Sequence, residues 1–283
     1  MAAGIFAGEE KIQVPGGAKI FVRSWRPAGA PRGVIVICHG VKSHSGYYVW
    51  AGEQFAAMGL TVYALDLRGR GQSEGDRLFV ENISEYAADV GAVIATAKTR
   101  DPGLPVFLLG HSAGGVISCI YCLDHQAELA GLICESFAYK VYAPDIALAA
   151  LKGIGSIAPH LPVLKLNTKD FSRDPKAVQA MIADPLGVDQ ESQPAETMAA
   201  LIRATERMKV EFPKITLPVM ILHGTADKAT VPAGSQEFFD HAGSKDKSLK
   251  LYDGHFHDLL NDLGKEAVMA DIKSWLNGRL PAA

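Results

Sequence analysis

Residues 104–115 read LPVFLLGHSAGG, an apolar run that stops at a glycine and resumes around a serine. The core of the run, 106–109, is unbroken apolar sequence of strand length, so it predicts a strand buried on both faces. Residues 113–125 carry a helical pattern, so Gly110-His111-Ser112-Ala113-Gly114 lies on a strand-to-helix turn. A G-x-S-x-G sequence in that context holds the serine hydroxyl out on a tight, strained turn, with Gly110 and Gly114 removing side chains that would collide within it. The helix that follows aims its first N–H groups and the positive end of its dipole at developing negative charge. Ser112 is therefore the candidate nucleophile; its plain alternative is an ordinary helix N-cap.

The surrounding sequence repeats the strand–helix alternation. Residues 33–38 (GVIVIC), 60–65 (LTVYAL), 129–134 and 219–222 are short apolar runs suited to central strands, and 18–25 alternates like an early antiparallel strand. Residues 50–58, 84–99 and 113–125 read as helices, 248–252 as a last strand and 264–277 as a closing helix. This is the pattern of a mostly parallel sheet flanked by helices. Residues 138–213 break it: no clear strand appears among helical patches interrupted by Pro144, Pro159, Pro162, Pro175, Pro185 and Pro194. The division expected is a core of 1–137 and 214–283 with a helical lid of 138–213 inserted between core strands. The plain alternative is that those helices complete the core.

A serine nucleophile needs a histidine to take its proton and a carboxylate to orient that histidine, in the chain order Ser, acid, His on this scaffold. Asp227 follows the strand at 219–222, at the sheet end where such sites form. Glu135 follows the strand at 129–134 at the same end and is the rival acid. His255 and His257 both follow the last strand; His257, directly before the final segment, is the chosen base. His111 reads as structural, His223 and His241 as loop or surface residues. The oxyanion would be held by the backbone N–H groups of Val41, in the loop after the strand at 33–38, and of Ala113; His39 only orders that loop. No metal or organic cofactor is required by this chemistry.

In combination these residues resemble the monoacylglycerol lipase and lysophospholipase family of α/β hydrolases, also described as serine aminopeptidase S33-like. The pattern H-G-x-x-x-H-S-x-x-Y matches His39, Gly40, His44, Ser45 and Tyr48; D-x-x-G-x-G-x-S-x-G matches Asp66, Gly69, Gly71, Ser73 and Gly75. The elbow G-H-S-x-G-G matches from Gly110 to Gly115, H/Q-G-x-x-D matches His223, Gly224 and Asp227, and Y-x-G-x-x-H matches Tyr252, Gly254 and His257. The resemblance implies the α/β-hydrolase fold and hydrolysis of an acyl chain from glycerol or a related head group. The alternatives are a carboxylesterase for short-chain or aryl esters, a lysophospholipase, and, more distantly, a ligand-binding protein without turnover. Lys42 and Ser43 replace a common Gly-Glu pair, Tyr47 replaces a common Arg, and Arg70 stands where the family usually has His.

Composition narrows the partners. With 28 basic and 31 acidic residues well mixed over 283, and a formal charge of −3, no basic stripe for nucleic acid is present. No run of about 18 apolar residues suggests a membrane span. The apolar stretch 146–164 could wall an acyl tunnel and touch a membrane surface transiently, or simply pack internally. Cys38, Cys119, Cys122 and Cys134 lie in core-like segments and read as buried free thiols; the Cys119/Cys122 spacing lacks a second ligand pair for zinc. With no leader pattern at the start, a cytoplasmic location is expected. The oligomeric state leaves no mark in the sequence.

Overall fold

The computed structural model describes residues 4–281. Eight strands form one sheet: β1 (Ile5–Gln13), β2 (Lys19–Pro27), β3 (Gly33–Cys38), β4 (Leu60–Leu65), β5 (Val106–His111), β6 (Gly131–Glu135), β9 (Val219–Gly224) and β10 (Lys247–Tyr252). Their order is β1-β2-β4-β3-β5-β6-β9-β10, with β2 antiparallel to both β1 and β4 and the other pairs parallel. The helices are α1 (Val49–Ala57), α2 (Ile83–Arg100), α3 (Ala113–His125), α4 (Asp145–Ile157), α5 (Pro175–Ala183), α6 (Ala195–Glu211), α7 (Pro232–His241) and α8 (Lys265–Asn277).

β3 shows why the sheet sits where it does. All six residues of GVIVIC are buried, because both faces are covered. Val34 and Val36 point into a core with Val90, Val93 and Ile94 of α2 and Val116 of α3, whereas Ile35 and Ile37 point into a second core with Phe55 of α1 and Ile272 of α8. The period of two in a strand thus feeds two separate helical layers. β1 is absent from the pattern read above. It is an edge strand whose centre is Gly8-Glu9-Glu10-Lys11, half exposed, and its nine-residue pairing with β2 holds it in place.

Between β6 and β9 the chain leaves the sheet for α4, α5 and α6. Where no strand is expected, two short ones pair, β7 (Pro162–Leu164) with β8 (Gln193–Pro194). The inserted helices differ in burial. α4 buries Gly155 alone, whereas α6 puts Ala200, Ala204 and Met208 into the core beside α3. Its other side carries the charges that make the sequence look polar, so α6 is amphipathic and structural.

The parallel arrangement brings the ends of β3, β5, β6, β9 and β10 to one edge of the sheet. The loops carrying Gly40, Ser112, Asp227 and His257 all leave from that edge, and Glu135 ends β6 there.

Candidate active site

Ser112 stands between β5 and α3 at φ 57° and ψ −122°, a conformation costing a side-chain-bearing residue about 1–3 kcal/mol. The strain is held by backbone pins: the Ser112 N–H donates to Glu135 O at 2.8 Å, and Ser112 O accepts from Gly115 N at 3.0 Å and Ala138 N at 3.2 Å. The elbow requires its glycines by contact. A Cβ on Gly114 would lie 2.1 Å from Cys38 O, and one on Gly110 would lie 2.5 Å from Gly114 O.

Asp227 is buried after β9 and accepts four hydrogen bonds, with a second imidazole close by. Its Oδ1 accepts from the N–H groups of Ala229 (2.7 Å) and Thr230 (2.9 Å). Its Oδ2 accepts from the Thr230 hydroxyl (2.8 Å) and His257 Nδ1 (2.7 Å), with His223 Nε2 at 3.1 Å. Burial works to raise this carboxyl, but His257 and His223 outweigh it and hold it well below the usual carboxylate range. The ion therefore stays charged.

His257 is buried between the rings of Phe171 and His111, both with centroids 4.9 Å away. With Nδ1 on Asp227, its Nε2 is left without a hydrogen-bond partner among the described residues. A carboxylate-oriented imidazole with a free Nε2 can accept a proton. Ser112, at the end of β5 on the same sheet edge, lines the same cavity as His111, Phe171 and Asp258.

The other acids and histidines fall elsewhere. Glu135, the rival acid, accepts from Leu260 N at 3.0 Å and lies with Asp258 and His111, ligand atoms all within 4.8 Å of one another. Burial and then the Asp258 charge push its carboxyl well up, and its Oε2 has no partner among the described residues. Burial likewise raises Asp258 to about 6. His111 accepts the Tyr48 hydroxyl at Nδ1 (3.0 Å), and burial keeps it neutral. His255 turns Nδ1 to Asp253 O at 3.1 Å, and His241 is an exposed residue of α7.

His223 corrects the reading above. It is no loop or surface residue; it lies within β9 fully buried, with Nδ1 2.7 Å from Ser235 Oγ and Nε2 3.2 Å from Thr230 Oγ1 and 3.1 Å from Asp227 Oδ2. The unbroken run VMILHG was the available signal, since a polar residue continuing a buried strand has to find a buried partner.

The loop after β3 is held from several sides. Gly40 passes so close to the serine that a Cβ there would sit 2.9 Å from Ser112 Cβ. His39 Nδ1 donates to Gly40 O at 2.7 Å, and its Nε2 accepts from Leu67 N at 3.0 Å. Burial lowers His39 to about 4, which keeps it neutral and fixes that tautomer. The Val41 N–H meets no acceptor among the described residues, and Ala113 supplies the first N–H of α3. Lys42, Ser43 and Tyr47 line the cavity beside Ser112, facing Phe171, Met181, Val188 and Asp189 of the insertion. Arg70 lies behind the loop instead, donating to Val41 O. The cavity is tight: about 10 Å³ of it can take the centre of a water, room for one molecule.

The doubly covered parallel sheet and the strained serine elbow at its edge define the class, an α/β hydrolase. Comparison with known proteins makes the assignment specific. The model of the serine aminopeptidase S33 family matches residues 29–264, and the chain belongs to that family. It is 35% identical to the monoacylglycerol lipase of Mycolicibacterium smegmatis, covering 94% of this chain and 95% of that one. It is 33% identical to the monoglyceride lipase homolog of Monkeypox virus, covering 92% and 95%. The crystal structure of Paleococcus ferrophilus monoacylglycerol lipase superposes with a TM-score of 0.81 at 29% identity, over 97% of this chain and 99% of that one.

Proposed function

We propose that this chain hydrolyses monoacylglycerols through a triad of Ser112, His257 and Asp227, with the Val41 and Ala113 N–H groups as oxyanion hole. The broader activity, hydrolysis of a carboxylic ester by a serine enzyme, follows from the family and its lipase members; the triad and the glycerol ester are the proposal. The observation that carries it is the buried His257, bonded to Asp227 through Nδ1 and free at Nε2, at the same sheet edge as the strained Ser112.

The reaction runs in two halves. His257 Nε2 takes the Ser112 proton as Oγ attacks the ester carbon, and the hydrogen-bonded Asp227 carboxylate stabilises the imidazolium. The tetrahedral oxyanion is held by the two N–H groups, each worth about 3 kcal/mol. The imidazolium protonates the departing glycerol, leaving an acyl-Ser112. Water, deprotonated by His257, then attacks the acyl carbon, and collapse returns the proton to Ser112 and frees the fatty acid.

The inserted segment acts as a lid. Phe171 covers His257, and an acyl chain enters when Met181, Val188 or Phe171 moves aside. The apolar side of the lid, with Tyr142, Ile146, Ile157 and Leu161 exposed, rests transiently on the lipid surface that presents the substrate. No helix among the described residues is long and apolar enough to cross a membrane. Four buried free thiols fit a reducing compartment, the cytoplasm.

The tightness of the cavity also favours a second reading, a carboxylesterase for short or aryl esters. Hydrolysis of a chain-length series of monoacylglycerols, beside short aryl esters and lysophospholipids, decides between them. Preference for medium or long monoacylglycerols, lost in Ser112→Ala, supports the lipase; activity confined to short or aryl esters replaces it by the esterase.

A further inference from the structure

The carbonyl of Val41 is bound by two side chains that the reaction itself does not use. Arg70 donates to it through Nη1, and Gln193 donates to it through Nε2 at 3.2 Å. The two are also joined to each other, Arg70 Nη2 to Gln193 Oε1 at 2.8 Å, which closes a triangle. Both are buried, at 1% and 2% exposure, and Arg70 also lies over the Tyr86 ring with Nε 3.3 Å from its hydroxyl. No carboxylate pairs with Arg70 among the described residues. Enclosing a guanidinium without a counter-ion is costly, so the fold keeps this one at the expense of stability.

What it holds is the peptide next to the candidate oxyanion donor. The Val41 N–H shares a peptide plane with Gly40 O, which His39 Nδ1 and Ser43 N grip at 2.7 and 3.2 Å. Gly40 has no side chain to resist a flip of that plane, so the anchor on its far side has to come through Val41 O. Gln193 belongs to β8, inside the insertion, whereas Arg70 follows β4.

We propose that Arg70 and Gln193 are positioning residues for the oxyanion hole, so that the inserted segment has to be seated for the Val41 N–H to be aimed. This rests on the role given above to Val41 and Ser112. The substitution at Arg70, where the family usually has His, then alters the hole rather than the head-group pocket.

The test uses the full chain with p-nitrophenyl butyrate, a short alkylboronic acid as a mimic of the tetrahedral state, and thermal melts. Gln193→Glu keeps an acceptor for Arg70, gives it a counter-ion, and removes the donor to Val41 O. It is expected to hold or raise Tm while lowering kcat about tenfold or more, the range below a full oxyanion donor, with KM little changed. Boronate affinity falls by the same factor. Arg70→Lys, which keeps one donor, retains more kcat than Arg70→Met at matched Tm. Unchanged kcat and boronate affinity in Gln193→Glu overturn the proposal, as does a kcat loss that merely tracks a fall in Tm. Fluorophosphonate labelling of the wild type, absent in Ser112→Ala, secures the underlying assignment; labelling that persists in Ser112→Ala overturns that assignment and this inference with it.

Discussion

At the scale of single residues, the site is governed by which buried acid stays charged. Asp227 and Glu135 both sit at the carboxyl edge of the sheet, and sequence position alone left them as rivals. Their surroundings separate them. Asp227 accepts four hydrogen bonds, one of them from an imidazole, and has a second imidazole 3.1 Å away, whereas Glu135 has one backbone N–H and a neighbouring acid. Asp227→Asn is expected to lower kcat by about 10⁴ with little change in KM or Tm, because the amide favours the wrong imidazole tautomer; steady-state kinetics beside a melt checks this. Glu135→Gln gives a different signature. The native carboxyl is raised above its unfolded value of 4.5, so the native state binds more protons than the unfolded one and stability falls as pH rises from there toward the folded pKa. Gln cannot ionise and escapes that loss. The variant is expected to melt higher than wild type at pH 8, by a margin that shrinks toward pH 4.5; equal margins at both would show that Glu135 is not held neutral. Ser112, Asp227 and His257 could be nominated from sequence because each follows a strand at a fixed offset. His223 was missed because its partner is met only when β9 and the turn after it fold together.

At the scale of elements, the elbow and α4 respond oppositely to the same change. Gly114 opens α3 with backbone oxygens of the neighbouring loop pressed against it, and no rotamer can relieve a Cβ 2.1 Å from Cys38 O. Gly114→Ala is expected to cost about 3 kcal/mol or more, lowering Tm by about 10 °C, and to displace the Ala113 N–H, so activity falls as well. Gly153 lies within α4 with open space around it, so Gly153→Ala is expected to add about 0.5–1 kcal/mol to that helix. A paired set of melts reads both. The strands of the central sheet were legible because burial on both faces demands continuous apolar runs. β1 was not, because an edge strand carries charges on its exposed positions, and β7 and β8 were too short to leave a period.

At the scale of the whole molecule, α4 and the segments beside it present a ridge of exposed apolar side chains. Ile146 is 80% exposed and Ile157 is 87% exposed, too much apolar area for a helix that has finished packing. If the ridge meets lipid, Ile146→Ser with Ile157→Ser is expected to weaken binding to phosphatidylcholine vesicles by about tenfold or more, since each buried isoleucine contributes about 1.5–3 kcal/mol. Hydrolysis of a soluble short ester stays unchanged. Sedimentation with vesicles and an esterase assay on the same preparation check it, and equal binding by both proteins would assign the ridge to something other than a membrane.

The central strands and the serine elbow were legible in the sequence, which also nominated a nucleophile, an acid and a base in that order. These are local: a strand of one length, a turn of one geometry and a residue just past a strand end are written in consecutive positions. Tertiary structure decided what surrounds them. His257 reaches Asp227 from the loop after β10, Phe171 closes on His257 from the insertion, and Arg70 and Gln193 meet at Val41 from 123 residues apart. Such contacts join segments whose separation in sequence carries no period and no motif, so only packing of the folded chain could bring them together.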